Sequence, residues 1–271
     1  MTVHPCGVLG VRGSLAAAIV GLAGLLAACG APVTSSPVTI TVFGAASLRD
    51  ALEAAAAAYE EATGNTIVVA TDSSTALRTQ IEQGARVEVF LSADTQNPDA
   101  LMAGGLVDGA VVPFAGNNLA IVTPAANPAG LGSPFDLGRP GLKIIAAGGS
   151  VPISGYAATL LRNLAALPGA PAGLGDAYAA NIVSREDNAL AVLSKVALGE
   201  GDAGIVYASD ATTSAAVAIV DIPSEANVSA TYAGVVPTTA LQPAAGRAFL
   251  DWLAGPEGQA LLAAFGFVAA P

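Results

Sequence analysis

From residue 38 onward, short runs of β-branched and apolar residues alternate with longer stretches in which apolar positions recur every three or four residues. Val38–Phe43, Thr66–Ala70, Val87–Leu91, Leu119–Val122, Lys143–Ala146, Gly204–Tyr207 and Val217–Val220 are the strand candidates. Between the first two, Leu48, Leu52, Ala55, Tyr59 and Ala62 make one helical stripe that stops at Gly64. Ile153–Leu167 and Asn188–Leu198 show the same period, and Gln242–Leu253 and Pro256–Phe265 predict two closing helices. Strand and helix alternating over this length predict an α/β fold of layered, mainly parallel sheets. Two loop-rich stretches, Val112–Asn118 and Asp221–Glu225, read as boundaries of the kind a two-lobed fold with paired crossings would use. No repeat of fixed period is present.

Composition narrows where such a fold resides. Mean hydropathy is +0.61, a membrane-like value, but alanine carries much of it. A single segment, Ser14–Ala28, looks compatible with lipid. Arg12 precedes it and Leu26-Ala27-Ala28-Cys29 ends it, which is the layout of a secretory signal. The ending also resembles a bacterial lipobox, in which Cys29 is lipidated and becomes the new N-terminus; an ordinary signal peptide with an incidental cysteine is the other reading. Residues 1–28 are thus expected to be a signal peptide and 29–37 a Pro/Ser-rich tether to the outer face of the membrane. Only Cys6 and Cys29 are cysteines, so the exported part is expected to lack a disulfide and to rest on its core. After removal of the signal, nine basic side chains face 21 acidic ones, a net charge of −12. Nucleic acid is a poor partner for that charge.

The chemistry is notable for what it excludes. His4, the sole histidine, lies in the signal, so no Ser-His-Asp triad, Cys-His pair or histidine metal site is available to the exported part. No G-x-S-x-G or Walker loop occurs, and Gly148-Gly149-Ser150 lacks the frame of a phosphate loop. What remains is a pair of strand-to-helix junctions with serine at the turn: Val38–Phe43 into Ser47, and Thr66–Ala70 into Ser73-Ser74-Thr75. A helix start leaves backbone N–H groups unpaired at the positive end of its dipole, and a serine hydroxyl adds a donor there. Helix capping alone also accounts for these serines, with Ser47 as N-cap and Asp50 three residues on. Tyr207 at the end of Gly204–Val206 reads equally as core filling, and Pro152 as a simple helix start.

As a set, these segments resemble the periplasmic molybdate-binding proteins of ABC importers. The likeness runs from Ile40–Leu48 through Ser73-Ser74, Gln80–Ala85 and Val89–Asp94. It continues in Val151–Ala157, Glu186-Asp187-Asn188, Gly201–Ala211, Gly255–Gly258 and Phe265–Phe267, nearly the whole exported chain in order. The resemblance implies a two-lobed type II periplasmic-binding-protein fold, each lobe a mainly parallel sheet flanked by helices, with the ligand in the interlobe cleft. Lobe 1 is expected to take residues 38–118 plus 221–271, and lobe 2 residues 119–220. It further implies that molybdate or tungstate is held without salt bridges. The donors would be the hydroxyls and amides of Ser47 and Ser74, the amides of Ile153 and Ala189, and the Tyr207 hydroxyl. The implied partners are an ABC transporter permease and, through Cys29, the membrane; the protein is expected to be a monomer, to use no cofactor and not to be an enzyme.

Two positions depart from the family's usual pattern: Ile153-Ser154 stands where Ala-Gly is common after Val-Pro, and Ala189-Leu190 where Val-Arg often follows the Asn. An amide donor survives either change, whereas cleft shape and selectivity depend on it. A sulfate or other tetrahedral-oxyanion receptor is therefore the alternative within transport. An exported hydrolase using Ser47 or Ser74 as nucleophile and Lys143 or Lys195 as base is a remote one, and a structural lipoprotein that binds no small ligand is another.

Overall fold

The alternation read from the sequence becomes two five-stranded sheets in the computed structural model, which describes residues 36–270. The signal segment, Cys29 and most of the tether lie outside the described residues. The first sheet has the order β2-β1-β3-β10-β4, from β1 (Thr39–Ala45), β2 (Thr66–Asp72), β3 (Val89–Ser92), β4 (Val112–Asn117) and β10 (Ala230–Val235). The second has the order β7-β6-β8-β5-β9, from β5 (Leu119–Pro124), β6 (Ile144–Ala147), β7 (Ile182–Glu186), β8 (Ala203–Tyr207) and β9 (Val217–Val220). In each sheet four strands point one way. The fifth, β10 in the first and β5 in the second, pairs antiparallel with both of its neighbours.

Those two inverted strands share a history along the chain. β5 is the strand with which the chain enters the second sheet, one residue after β4, and β10 is the strand with which it returns after β9. A direct crossing between sheets delivers the chain without a crossover helix, so the entering strand is free of the rule that makes βαβ units parallel. The two crossings, at Asn118 and within 221–229, are the covalent links between the halves built on the two sheets.

Helices cover the sheet faces. On the first, α1 (Arg49–Thr63), α8 (Pro243–Ala254) and α9 (Pro256–Ala264) lie on one side, where Tyr59 meets Phe249 and Trp252 edge to face at 5.1 and 5.3 Å. On the other side α2 (Ser74–Glu82) and α3 (Gln96–Ala103) bury Leu77, Ile81 and Leu101 against Phe90 and Val235. The second sheet carries α4 (Pro152–Ala165), α5 (Leu174–Ala180), α6 (Ala189–Ala197) and the short α7 (Ala208–Thr212). Two glycines set helix–strand distances close to the cleft. A Cβ on Gly44 of β1 would collide with Leu52 Cδ1 of α1. One on Gly204 of β8 would lie 2.8 Å from Val192 of α6 and 3.0 Å from the Ile145 carbonyl oxygen. Among the described residues no helix is long and apolar enough to cross a membrane.

Candidate functional site

Strand ends and helix starts of the two halves converge on one small cavity. Its first wall is Ala45, Ala46 and Ser47 after β1, Ser73 and Ser74 after β2, and Ala93 after β3. The facing wall is Val151 and Pro152 before α4, Asn188 and Ala189 at the start of α6, and Tyr207 at the end of β8. No charged side chain is on that lining. The space is small, at the lower limit for a single water-sized occupant.

Each junction is built so that donors stay unspent. At α2 the Ser73 hydroxyl caps the helix by accepting from the Ala76 amide at 3.2 Å. At α6 the Asn188 side-chain oxygen does the same for the Ala191 amide at 2.9 Å. Each cap takes the third amide of its helix, so the first-position amides of Ser74 and Ala189 are left without a helical acceptor. At α4 the first residue is Pro152, which has no N–H, and Ile153 occupies the second position, again without an acceptor in the helix. Ile153 itself is not on the cavity lining. It borders, with Ser154, Ala157 and Leu161, a separate cavity of about 640 Å³ behind α4 that Ser47 and Ser74 do not line.

The side-chain hydroxyls are held differently from one another. Ser74 is 1% exposed, and its Oγ accepts from the Ala93 amide at 3.0 Å. Ser47 was expected to cap α1, but the structure places it inside a 3-10 turn, Ala46–Leu48, ahead of the helix. The α1 N-cap position falls to Leu48 with no side-chain cap, and Asp50 pairs with Arg49 instead. The reason is a stronger claim on the Ser47 hydroxyl: Tyr232 of β10 sits 2.8 Å away in the buried interior. Tyr207 is 2% exposed and its hydroxyl has no hydrogen-bond partner. Burial first, then the neighbouring Tyr232 and Tyr156, push its ionisation well above the ordinary phenol range, so it stays a neutral donor. Leaving such a group unpaired costs about 1–3 kcal/mol, and native interiors rarely do so without a use for it.

Two hydrogen bonds span the cleft beside the cavity. Thr75 Oγ1 of α2 donates to the Ser150 carbonyl at 2.6 Å, and Asn188 Nδ2 reaches Asp72 Oδ1 at 3.5 Å. Lys195 donates to Glu186 and Ser184, and neither it nor Lys143 lines the cavity, so the serines have no lysine base beside them. Tyr232 and Asn117 carried no site signal in the sequence, and Thr75 was read there only as part of the second helix start. Tyr232 meets its serine partner from 185 residues away, a distance no local pattern encodes.

Similarity to known proteins agrees with this geometry. The family model for bacterial extracellular solute-binding proteins matches residues 40–268. The molybdate-binding protein ModA of Mycobacterium tuberculosis strain H37Rv is 35% identical over 255 residues, covering 91% of this chain and 93% of that protein. The molybdate-binding protein ModA of Escherichia coli K12 is 30% identical over 241 residues, covering 84% and 88%. Among solved structures, the Azotobacter vinelandii periplasmic molybdate-binding protein superposes with a TM-score of 0.71 at 23% identity, covering 86% of this chain and all of that one. The match over most of the chain, together with two helix-flanked sheets meeting at a donor-lined cavity, makes this chain a member of the bacterial extracellular solute-binding protein family.

Proposed function

We propose that the protein captures molybdate, or its analogue tungstate, outside the cytoplasm and hands it to an ABC transporter permease. The observation that carries this reading is the Tyr207 hydroxyl: fully buried, unpartnered, and on the wall of a cavity where helix-start amides are also free. In this reading the Ser47, Ser74 and Tyr207 hydroxyls and the amides of Ser47, Ser74, Ile153 and Ala189 replace the water around the dianion. Charge-assisted hydrogen bonds contribute about 1.5–3 kcal/mol each, so several converging ones support tight binding without a cation. The names and identities of the two bacterial relatives support molybdate over other oxyanions.

The remaining parts of the reading rest on the sequence. Residues 38–118 with 221–271 and residues 119–220 would act as two lobes that close on the ligand about the two crossings, as ligand shifts an open–closed equilibrium. Leu26–Cys29 supports export and a lipid anchor on Cys29 at the outer face of the membrane. The protein would work as a monomer, with no cofactor and no nucleic-acid partner.

Calorimetric titration of the exported part with molybdate, tungstate, sulfate and phosphate tests the ligand. Heat with molybdate or tungstate is the expected result. Silence with both, and binding of sulfate or phosphate instead, would replace the ligand while keeping the architecture.

A further inference from the structure

Of the three serines on the cavity wall, Ser73 caps α2, and the hydroxyls of Ser47 and Ser74 each have their oxygen engaged by a protein donor, which decides what their protons can do. For Ser74 the donor is the Ala93 amide, which can only donate. For Ser47 the partner is the Tyr232 hydroxyl, and the distance alone is compatible with either oxygen as the donor. The surroundings of Tyr232 resolve the direction. Its oxygen already accepts from Asn117 Nδ2 at 3.4 Å, and Asn117 is itself fixed by donating to Ser209 Oγ at 2.8 Å and accepting from the Ser209 amide. The Tyr232 ring is fully buried against the rings of Phe114, Tyr207 and Phe267. Ser47 Oγ is the one acceptor its proton reaches. If Ser47 donated instead, the phenol proton would be stranded among aromatic rings.

We propose that Tyr232, oriented by Asn117, is a positioning residue that fixes the Ser47 hydroxyl as a donor into the cavity. With its oxygen held by Tyr232, the Ser47 proton has the bound anion as its acceptor, matching the arrangement that Ala93 imposes on Ser74. Both hydroxyls then present hydrogen rather than lone pairs. An oxyanion without protons is gripped by both, whereas one carrying a hydroxyl meets a donor where it needs an acceptor. Asn117 ends β4 at the first crossing and Ser209 lies in α7 of the other half, so the same chain of hydrogen bonds ties ligand orientation to the hinge.

This inference rests on the oxyanion reading above, and the test separates the two. Molybdate affinity is measured calorimetrically for the unmodified protein, Tyr232→Phe, Ser47→Ala and the double variant, with ligand-free thermal unfolding as the control for folding. The Phe ring keeps the aromatic packing and removes only the hydroxyl. Tyr232→Phe is expected to weaken molybdate binding about tenfold, the equivalent of part of one charge-assisted hydrogen bond. In the Ser47→Ala background the same change should have no further effect, because Tyr232 acts through Ser47. Equal losses in both backgrounds, or no loss in the unmodified one, would overturn the proposal and leave Tyr232 a packing residue. Failure of the unmodified protein to bind any oxyanion is a separate outcome, which removes the oxyanion reading and this inference with it.

Discussion

Tyr207→Phe is the change for which function and stability should move in opposite directions. The ring is 2% exposed and packs edge to face against Tyr156 and Tyr232 at 6.5 and 5.5 Å, contacts that phenylalanine keeps. Only the hydroxyl is lost, and in the structure that hydroxyl bonds to nothing. A buried polar group without a partner costs about 1–3 kcal/mol, so the ligand-free variant should be more stable by a share of that. For a chain of this size each kcal/mol moves the melting midpoint by about 2–4 °C. Binding should suffer, because a phenol donating to a dianion contributes about 1.5–3 kcal/mol, or roughly 10–150-fold in affinity. Thermal unfolding with and without molybdate reads both terms: the baseline midpoint rises, while the ligand-induced increment, set by RT ln(1 + [L]/Kd), shrinks. A variant that melts lower without ligand and keeps the full increment with it would refute the reasoning, since the hydroxyl would then serve the fold and not the ligand.

Other consequences of the structure can be measured as directly. Asp210 is buried with Oδ2 unpartnered, and burial, reinforced by Asp50 and opposed by Arg49, holds its ionisation well above the usual carboxylate range. The folded state therefore favours the protonated acid, and its contribution to stability is full below the unfolded value and lost as pH rises through the folded one. Asp210→Asn should gain stability relative to the unmodified protein progressively above about pH 4, read by urea unfolding at stepped pH; a pH-independent difference would contradict this. Thr75→Val removes the 2.6 Å bond to the Ser150 carbonyl across the cleft and should weaken molybdate binding about 2- to 10-fold. Ligand-free stability should barely change, a combination that titration and melting together would reveal. Gly204→Ala drives a methyl into Val192 and the Ile145 carbonyl and should cost about 1–3 kcal/mol in urea unfolding.

How far the sequence exposes the fold depends on where each element sits. Strands with both faces covered, such as β6 and β8, are legible because burial on two sides demands continuous apolar runs, and β1 is legible because buried Ile40 and Val42 alternate with less buried residues. β4 reads as a loop boundary because Val-Pro-Phe-Ala-Gly-Asn contains proline and glycine. It tolerates them because it is an edge strand of the first sheet. β7, also at an edge, runs Ile-Val-Ser-Arg-Glu with Val183 58% exposed, too polar to stand out as a strand. β10 is an interior strand that runs Ala-Thr-Tyr-Ala-Gly-Val, too poor in β-branched residues to stand out, and Gly234 lets α8 approach, with Leu250 lying where a Cβ would go. The junction serines and Tyr207 are legible because strand–turn–helix is a local pattern with a known donor chemistry. Their partners are not, since Tyr232, Asn117 and Ala93 reach them only through tertiary structure.

A cavity walled by alanine, serine, asparagine, proline, valine and one tyrosine has almost nothing in it that titrates. Its sole ionisable member is displaced away from neutrality, and in the alkaline direction. From acid conditions to neutrality the pattern of hydrogens offered to an occupant is therefore constant, unlike a pocket built on histidine or lysine. The lower pH limit of capture then belongs to the cargo: uptake should fade where the anion takes on its own proton, whatever acidity the exterior imposes on the rest of the surface.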